Sequence, residues 1–164
     1  MKHKYIKITA LFCLLALSVS CYSYRSYYET YFVKTGSLQY YLKKTRVHSS
    51  SMDCILDFTV RINSESTNDS TVNFSLLTGS ESRVEKAYFT ADGIMLPVSE
   101  IEILYIKKNE QKQRYTGSMK YEYFYRLMEA DSPVFTVFID NEEILFEPSK
   151  DFNNARKSLF MEIG

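Results

Sequence analysis

Apolar and polar residues alternate with a period of two in several short runs of this 164-residue chain, and no long segment holds a helical period. The clearest run is residues 54–62. There Cys54, Leu56, Phe58, Val60 and Ile62 fall on one face, with Asp57, Thr59 and Arg61 on the other. A strand with one buried and one wet face reads this way. A polar connection over 63–70 leads to residues 71–76, where Val72, Phe74 and Leu76 repeat the pattern. Further strands are expected at 84–90, 100–107 and 119–127, and Ala91-Asp92-Gly93 supplies a turn whose glycine can take positive φ. In 119–127 the alternation groups Tyr121, Tyr123, Tyr125 and Leu127 against Glu122, Phe124 and Arg126. Its expected partner is 134–139, which turns through Asp140-Asn141-Glu142-Glu143 into 144–146. Pro133 and Pro148 stand at a strand start and beyond a strand end, where a missing N–H is tolerated. In the tail, Ser149 or Asp151 can cap a short helix with Phe152, Ala155 and Leu159 on one stripe; an edge strand over 159–163 is the alternative to this preferred reading.

These strands predict an all-β domain: a two-sheet antiparallel β-sandwich of immunoglobulin-like or related topology, with a short C-terminal helix. An enclosed small barrel is the alternative. The absence of tryptophan excludes the Cys-Trp-Cys arrangement of a true antibody domain. A transmembrane barrel is disfavoured, because one domain's worth of residues would have to supply closed lipid-facing strands as well as a core. The expected organisation is a leader over 1–20, an aromatic N-terminal segment over 21–45 packed largely on the domain, and the sandwich over 46–164.

The leader carries Lys2, Lys4 and Lys7 without an acid, then a mostly apolar run from Ile8 to Val19, then Ser20-Cys21. A helix through that run would rise only about 18 Å against a hydrocarbon core of about 30 Å, so the segment reads as a removable export signal. Its end, Leu17-Ser18-Val19-Ser20-Cys21, resembles the bacterial lipoprotein signal, with Leu17 one place earlier than the usual aliphatic residue. The resemblance covers the first 21 residues and implies that Cys21 becomes the diacylated mature N-terminus. Tyr22 is not the Asp that commonly favours inner-membrane retention, so the resemblance leans toward an outer-membrane lipoprotein. Ser18 and Ser20 also suit a peptidase that releases soluble protein. In that case Cys21 and Cys54 could pair in a disulfide, whereas acylation of Cys21 leaves Cys54 the single thiol of the mature chain.

Removing the leader takes three lysines and no acid from a chain of 20 basic and 20 acidic residues, leaving a net charge of about −3. No basic excess remains to neutralise phosphates, so nucleic acid is not an expected partner. Catalytic signatures are also lacking. His48 is the last histidine after leader removal, and Cys54 lies in phase with Leu56 and Phe58, which points its thiol into the core. Too few His and Cys remain for a zinc site, the Asp140 to Glu143 turn matches no calcium loop, and scattered carboxylates such as Glu100, Glu102 and Glu122 have no spacing that pairs them. No metal, cofactor or catalytic residue is therefore assigned.

The compositional anomaly is fourteen tyrosines. Tyrosine is a strand former with an amphipathic ring, so most are expected to be half-buried sheet residues. The candidate binding surface is Tyr24, Tyr27, Tyr28 and Tyr31 with Tyr121, Tyr123 and Tyr125. The expected function is that of a non-enzymatic envelope lipoprotein, tied to the membrane through lipid on Cys21, which binds an envelope protein or stabilises an assembly. Such a module should show an exposed apolar patch or an unpaired edge strand. A tyrosine-lined glycan or small-ligand surface is the alternative, and a hydrolase the remote one.

Overall fold

The computed structural model describes residues 26–33, 36–62, 69–78 and 83–164. The expectations for the leader, Cys21 and Tyr24 lie outside these residues. The described chain forms β1 (Tyr28–Val33), β2 (Ser37–His48), β3 (Asp53–Ile62), β4 (Asp69–Leu77), β5 (Val84–Ala91) and β6 (Ile94–Lys107). After a 3-10 turn (Lys108–Glu110) follow β7 (Lys112–Lys120), α1 (Tyr121–Glu129), β8 (Val134–Ile139), β9 (Glu142–Phe146) and α2 (Lys150–Ile163).

The fold corrects the expected β-sandwich. All nine strands belong to one antiparallel sheet in the order β1-β2-β3-β4-β7-β6-β5-β8-β9. The physical reason is β6. Its first part pairs with β5, from Ala91↔Ile94 to Ala87↔Val98, and its second part pairs with β7, from Ser99↔Ser118 to Lys107↔Lys112. One continuous strand thus serves both halves and prevents them from being separate sheets. The strand bends where it changes partner: the register shifts between Ser99 and Glu102, and Glu100 takes φ +52. Pro97 lies in the part of β6 that pairs with β5 alone, a place where a residue without N–H is tolerated. The sheet does not close into a barrel; β1 and β9 remain its ends, and an isolated bridge between His48 and Glu147 ties the β9 side back to β2.

Folding the sheet over lets its halves hide each other's apolar face. Cys54, Leu56, Phe58 and Val60 of β3 are buried, as their alternation predicts. Phe58 meets Phe89 of β5 at 5.8 Å between ring centroids, and Phe74 of β4 meets Phe135 of β8 at 5.3 Å and Tyr115 of β7 at 5.1 Å. The helices cover the rest. Phe58 also meets Phe124 of α1 at 5.9 Å and Phe152 of α2 at 6.1 Å, so one ring joins both halves of the sheet to both helices.

Residues 121–127, expected to continue a strand, are helical. Phe124, Leu127 and Met128 are buried at helical spacing, and Tyr121, Tyr123 and Tyr125 project from a helix instead of lining a strand face. The tail is the preferred helix, longer than expected. Ser149 caps it by accepting from the Phe152 N–H at 3.1 Å, and Phe152, Ala155 and Leu159 are buried with Arg156. Arg156 completes the helix pair: its Nη1 donates to the Met128 carbonyl at 3.0 Å, Nη2 to the Asp131 carbonyl at 2.7 Å, and Nε to Asn153 Oδ1 at 2.9 Å. The guanidinium thereby satisfies carbonyls at and just beyond the end of α1.

Because Phe58 of β3 is buried among rings from three other elements, Phe58→Ala should cost about 3–5 kcal/mol. Urea unfolding of the two proteins measures it; a cost near 1 kcal/mol would mean that the four-element contact is not the centre of the core.

Candidate functional site

An exposed run of four consecutive apolar residues lies on the distal part of β6. Residues 99–107 pair with β7 on one side, and among the described residues no strand lies along the other side. Ile103 stands opposite Tyr115 and Ile106 opposite Gln113, both buried partners. Yet Ile103 is 49 % exposed, Leu104 51 %, Tyr105 38 % and Ile106 39 %. The cause is length. β5 accompanies β6 only through residues 94–98, so the folded-over half of the sheet does not run alongside the distal strand. A second register shift between Ile103 and Tyr105 leaves Leu104 as an extra residue and bends the strand again.

This edge is bounded by charge. Glu100 and Glu102 precede the apolar run, and Lys107 and Lys108 follow it. Glu100 accepts a hydrogen bond from Ser118 Oγ at 2.8 Å, and the Lys107 ammonium lies 6.0 Å from the Tyr105 ring centroid. Where β5 and β6 part, a cleft of about 530 Å³ opens between residues 83–86 and 98–101, with Arg83, Glu85, Lys86 and Glu100 on its walls. An open row of main-chain groups beside exposed isoleucine, leucine and tyrosine is the geometry to which an extended polypeptide adds.

The tyrosines proposed from the sequence are distributed differently. Tyr27, Tyr28, Tyr121, Tyr123 and Tyr125 are half-buried. Tyr28 packs on Tyr40 at 6.1 Å and donates to Glu162 of α2 at 3.0 Å, while Tyr27 accepts from Asn154 of α2 at 3.4 Å. Tyr125 meets Phe160 at 5.2 Å and Tyr121 at 6.4 Å, and the Lys120 ammonium sits 5.7 Å from the Tyr123 ring. The structure thus brings Tyr27, Tyr28, Tyr121 and Tyr125 to the seams where β1, β2 and the helices pack. Tyr31 stands apart. It is exposed, donates to Glu29 at 2.8 Å, and packs edge-on against Tyr41 at 5.4 Å. Tyr41 in turn hydrogen-bonds Gln39, whose Oε1 accepts from Arg61 Nη2 at 2.9 Å. The chain matches no family model, and no curated protein or solved structure is significantly similar to it.

Other reactive side chains are engaged in local structure. His48 Nδ1 lies 2.8 Å from Asp53 Oδ1 on the surface, and Arg46 lies 3.5 Å from the same carboxylate. Ser49 Oγ accepts from the Met52 N–H at 3.0 Å and so holds the turn between β2 and β3. Asp140 and Asn141 both take positive φ between β8 and β9, the demand of a tight two-residue hairpin. Among the described residues no group of three or more His, Cys, Asp and Glu side chains is placed to hold a metal ion, and no helix is long and apolar enough to cross a membrane. One polar constellation was missed from the sequence. On the outer face, Asp57 accepts from Arg114 Nη2 at 2.9 and 2.8 Å and from Asn73 at 3.0 Å, while Arg114 Nη1 donates to Ser75 at 3.2 Å. Cross-strand register alone brings these residues of three strands together, so no local spacing announces them.

Burial pushes the Cys54 thiol far above its ordinary range, so it stays protonated and does not act as a nucleophile. Burial also pushes the Tyr115 hydroxyl up to about 12, with Asp140 adding to the shift. The unfolded thiol ionises near pH 8.5 while the folded one keeps its proton. Stability is therefore expected to be unaffected by this group up to about pH 8, then to fall by up to about 1.4 kcal/mol per pH unit. Urea unfolding between about pH 7 and 9, below the range in which tyrosine ionises in the unfolded chain, measures the slope, and Cys54→Ala should flatten it; an equal slope in both proteins would show that the thiol is not the cause.

Proposed function

We propose that this chain is a non-enzymatic bacterial envelope lipoprotein that joins or stabilises a protein assembly by accepting an extended strand along the distal part of β6. The observation that carries the reading is the run Ile103-Leu104-Tyr105-Ile106, exposed on a strand paired on one side. Monomeric proteins avoid long apolar edges because they invite any passing strand, so an edge kept open argues for an intended occupant. The bend at Glu100 and the extra residue at Leu104 restrict which strands can follow it.

Anchoring belongs to the same reading. Acyl chains on Cys21, as the lipoprotein-like leader implies, would place the domain at a membrane, with the outer membrane preferred because Tyr22 is not Asp. β1 begins seven residues after Cys21, at Tyr28, a span of at most about 25 Å when fully extended. The domain is thereby held close to the bilayer surface, where a second envelope protein is within reach.

A second reading rests on Tyr31 and Tyr41. Their exposed rings stand beside Glu29, Gln39 and Arg61, a mixture of aromatic faces and polar groups that suits a sugar ring. Saturation-transfer NMR with envelope glycans would show line broadening that Tyr41→Ala abolishes if this surface binds them.

Two experiments test the principal reading. Cys21→Ser should move the protein from the membrane fraction to the soluble fraction of its native cell; unchanged processing and membrane association would remove the anchor. Photo-crosslinking residues at positions 103 and 105 should form protein adducts in the intact envelope. Their absence at both positions would overturn the strand-accepting role.

A further inference from the structure

We propose that the strand received by the distal part of β6 is the same segment of a second copy of this chain, paired antiparallel about a two-fold axis near Leu104. The inference rests on the strand-accepting role above and deepens it by naming the occupant. A two-fold interface brings one surface patch against itself, so the patch must be complementary to its own reversed image. The segment from Glu100 to Lys108 has that property. Acids occupy its first end at Glu100 and Glu102, lysines its last end at Lys107 and Lys108, and uncharged apolar residues its middle.

Setting two such segments antiparallel with Leu104 near the axis brings Glu100 and Glu102 of each copy beside Lys107 and Lys108 of the other. The attraction is counted twice by symmetry. The same pairing lays Ile103, Leu104, Tyr105 and Ile106 of the two copies against one another and removes their exposed area from water. A parallel arrangement would set acid against acid and lysine against lysine. The charges therefore act as end markers: they penalise an arbitrary strand and favour one with the reversed order.

β1, at one end of the sheet, carries one acid where this segment carries two. β1 exposes Tyr31 and Phe32, but its Glu29 is met by Lys43 of the same molecule at 3.5 Å. Among the described residues no strand pairs with the distal part of β6 on that side, since β5 leaves it after Val98. Pairing there would make one continuous sheet through two molecules, with β7 and β6 of one followed by β6 and β7 of the other.

The test uses the protein as its native cell produces it, extracted in mild detergent. Sedimentation equilibrium should show a monomer–dimer equilibrium. Glu102→Lys should weaken the dimer by about tenfold, because two like-charge pairs replace two opposite ones. Lys107→Glu with Lys108→Glu should weaken it similarly, and combining all three changes should restore it. Cysteines introduced singly at 103, 104, 105 and 106 then read the register. Residues opposed across an antiparallel pair lie about 4.5–5.5 Å apart at Cα, within the range a disulfide spans, so oxidation should give a product of twice the mass at one or two of these positions. With Cys21 acylated and Cys54 buried and protonated, the introduced thiol is the one free to react, and Ile94→Cys, on the part of β6 paired with β5, should give no covalent dimer.

A protein that stays monomeric, or a dimer indifferent to all the charge changes, overturns the self-pairing. If it then forms adducts with a different protein from positions 103 and 105 in the intact envelope, the strand-accepting role stands with another occupant. If it forms none, both fall.

Discussion

The apolar face of β3 and β4 is hidden by strands of the same sheet, and every other feature of the molecule depends on that self-burial. A single sheet has two faces, and one of them here carries Phe58 and Phe74. Water must be excluded from it by something, and the chain uses Phe89 of β5 and Phe135 of β8, reached by bending β6 until the later strands lie over the earlier ones. The helices then seal what the bend leaves open, with Phe124 and Phe152 completing the ring contacts around Phe58. The bend has a local cost, paid in left-handed backbone at Glu100 and two register shifts, and it is offset by rings removed from water on both halves.

The same bend produces the surface to which function is assigned. A strand shared by two halves of a folded sheet must leave one neighbour before it joins the other. β6 leaves β5 after Val98 and continues along β7 to Lys107, so its distal part emerges with main-chain groups along one side and Ile103 to Ile106 uncovered. Core formation and edge exposure are thus two results of one geometric event. The tyrosines take a complementary role, since Tyr27, Tyr28, Tyr121 and Tyr125 join sheet to helix with their rings while their hydroxyls remain at the boundary with water.

How much of this was legible in the sequence varies with the range of the signal. The alternation of Cys54, Leu56, Phe58 and Val60 is a local pattern, and it names both the strand and its buried face. Ser149 and the Phe152, Ala155, Leu159 stripe announce α2 in the same way. The count of sheets is not local. It turns on β6 having β5 beside Leu96 and β7 beside Ile103, a pairing that no run of residues encodes, and Pro97 discourages reading the two parts as one strand. In residues 121–128 the apolar positions fit periods of 2 and 3.6 equally, and tyrosine's preference for strands tips the reading the wrong way until burial of Phe124, Leu127 and Met128 decides for a helix. The candidate edge was hidden for a related reason: Ile103, Leu104 and Ile106 look like core residues, and only the parting of β5 from β6 after Val98 shows that no described strand covers them.

The contacts of Tyr27 and Tyr28 have a mechanical consequence. A pull entering from the N-terminal side arrives first at Tyr28, the end of an outermost strand, where main-chain bonds would otherwise break one after another like a zip. At that end the Tyr27 carbonyl accepts from the Lys43 N–H at 2.8 Å, and Tyr28 is fastened to Glu162, 134 positions further along the chain. Traction from that side is therefore shared at once with the last helix, and the first strand is clamped at the point where peeling would begin.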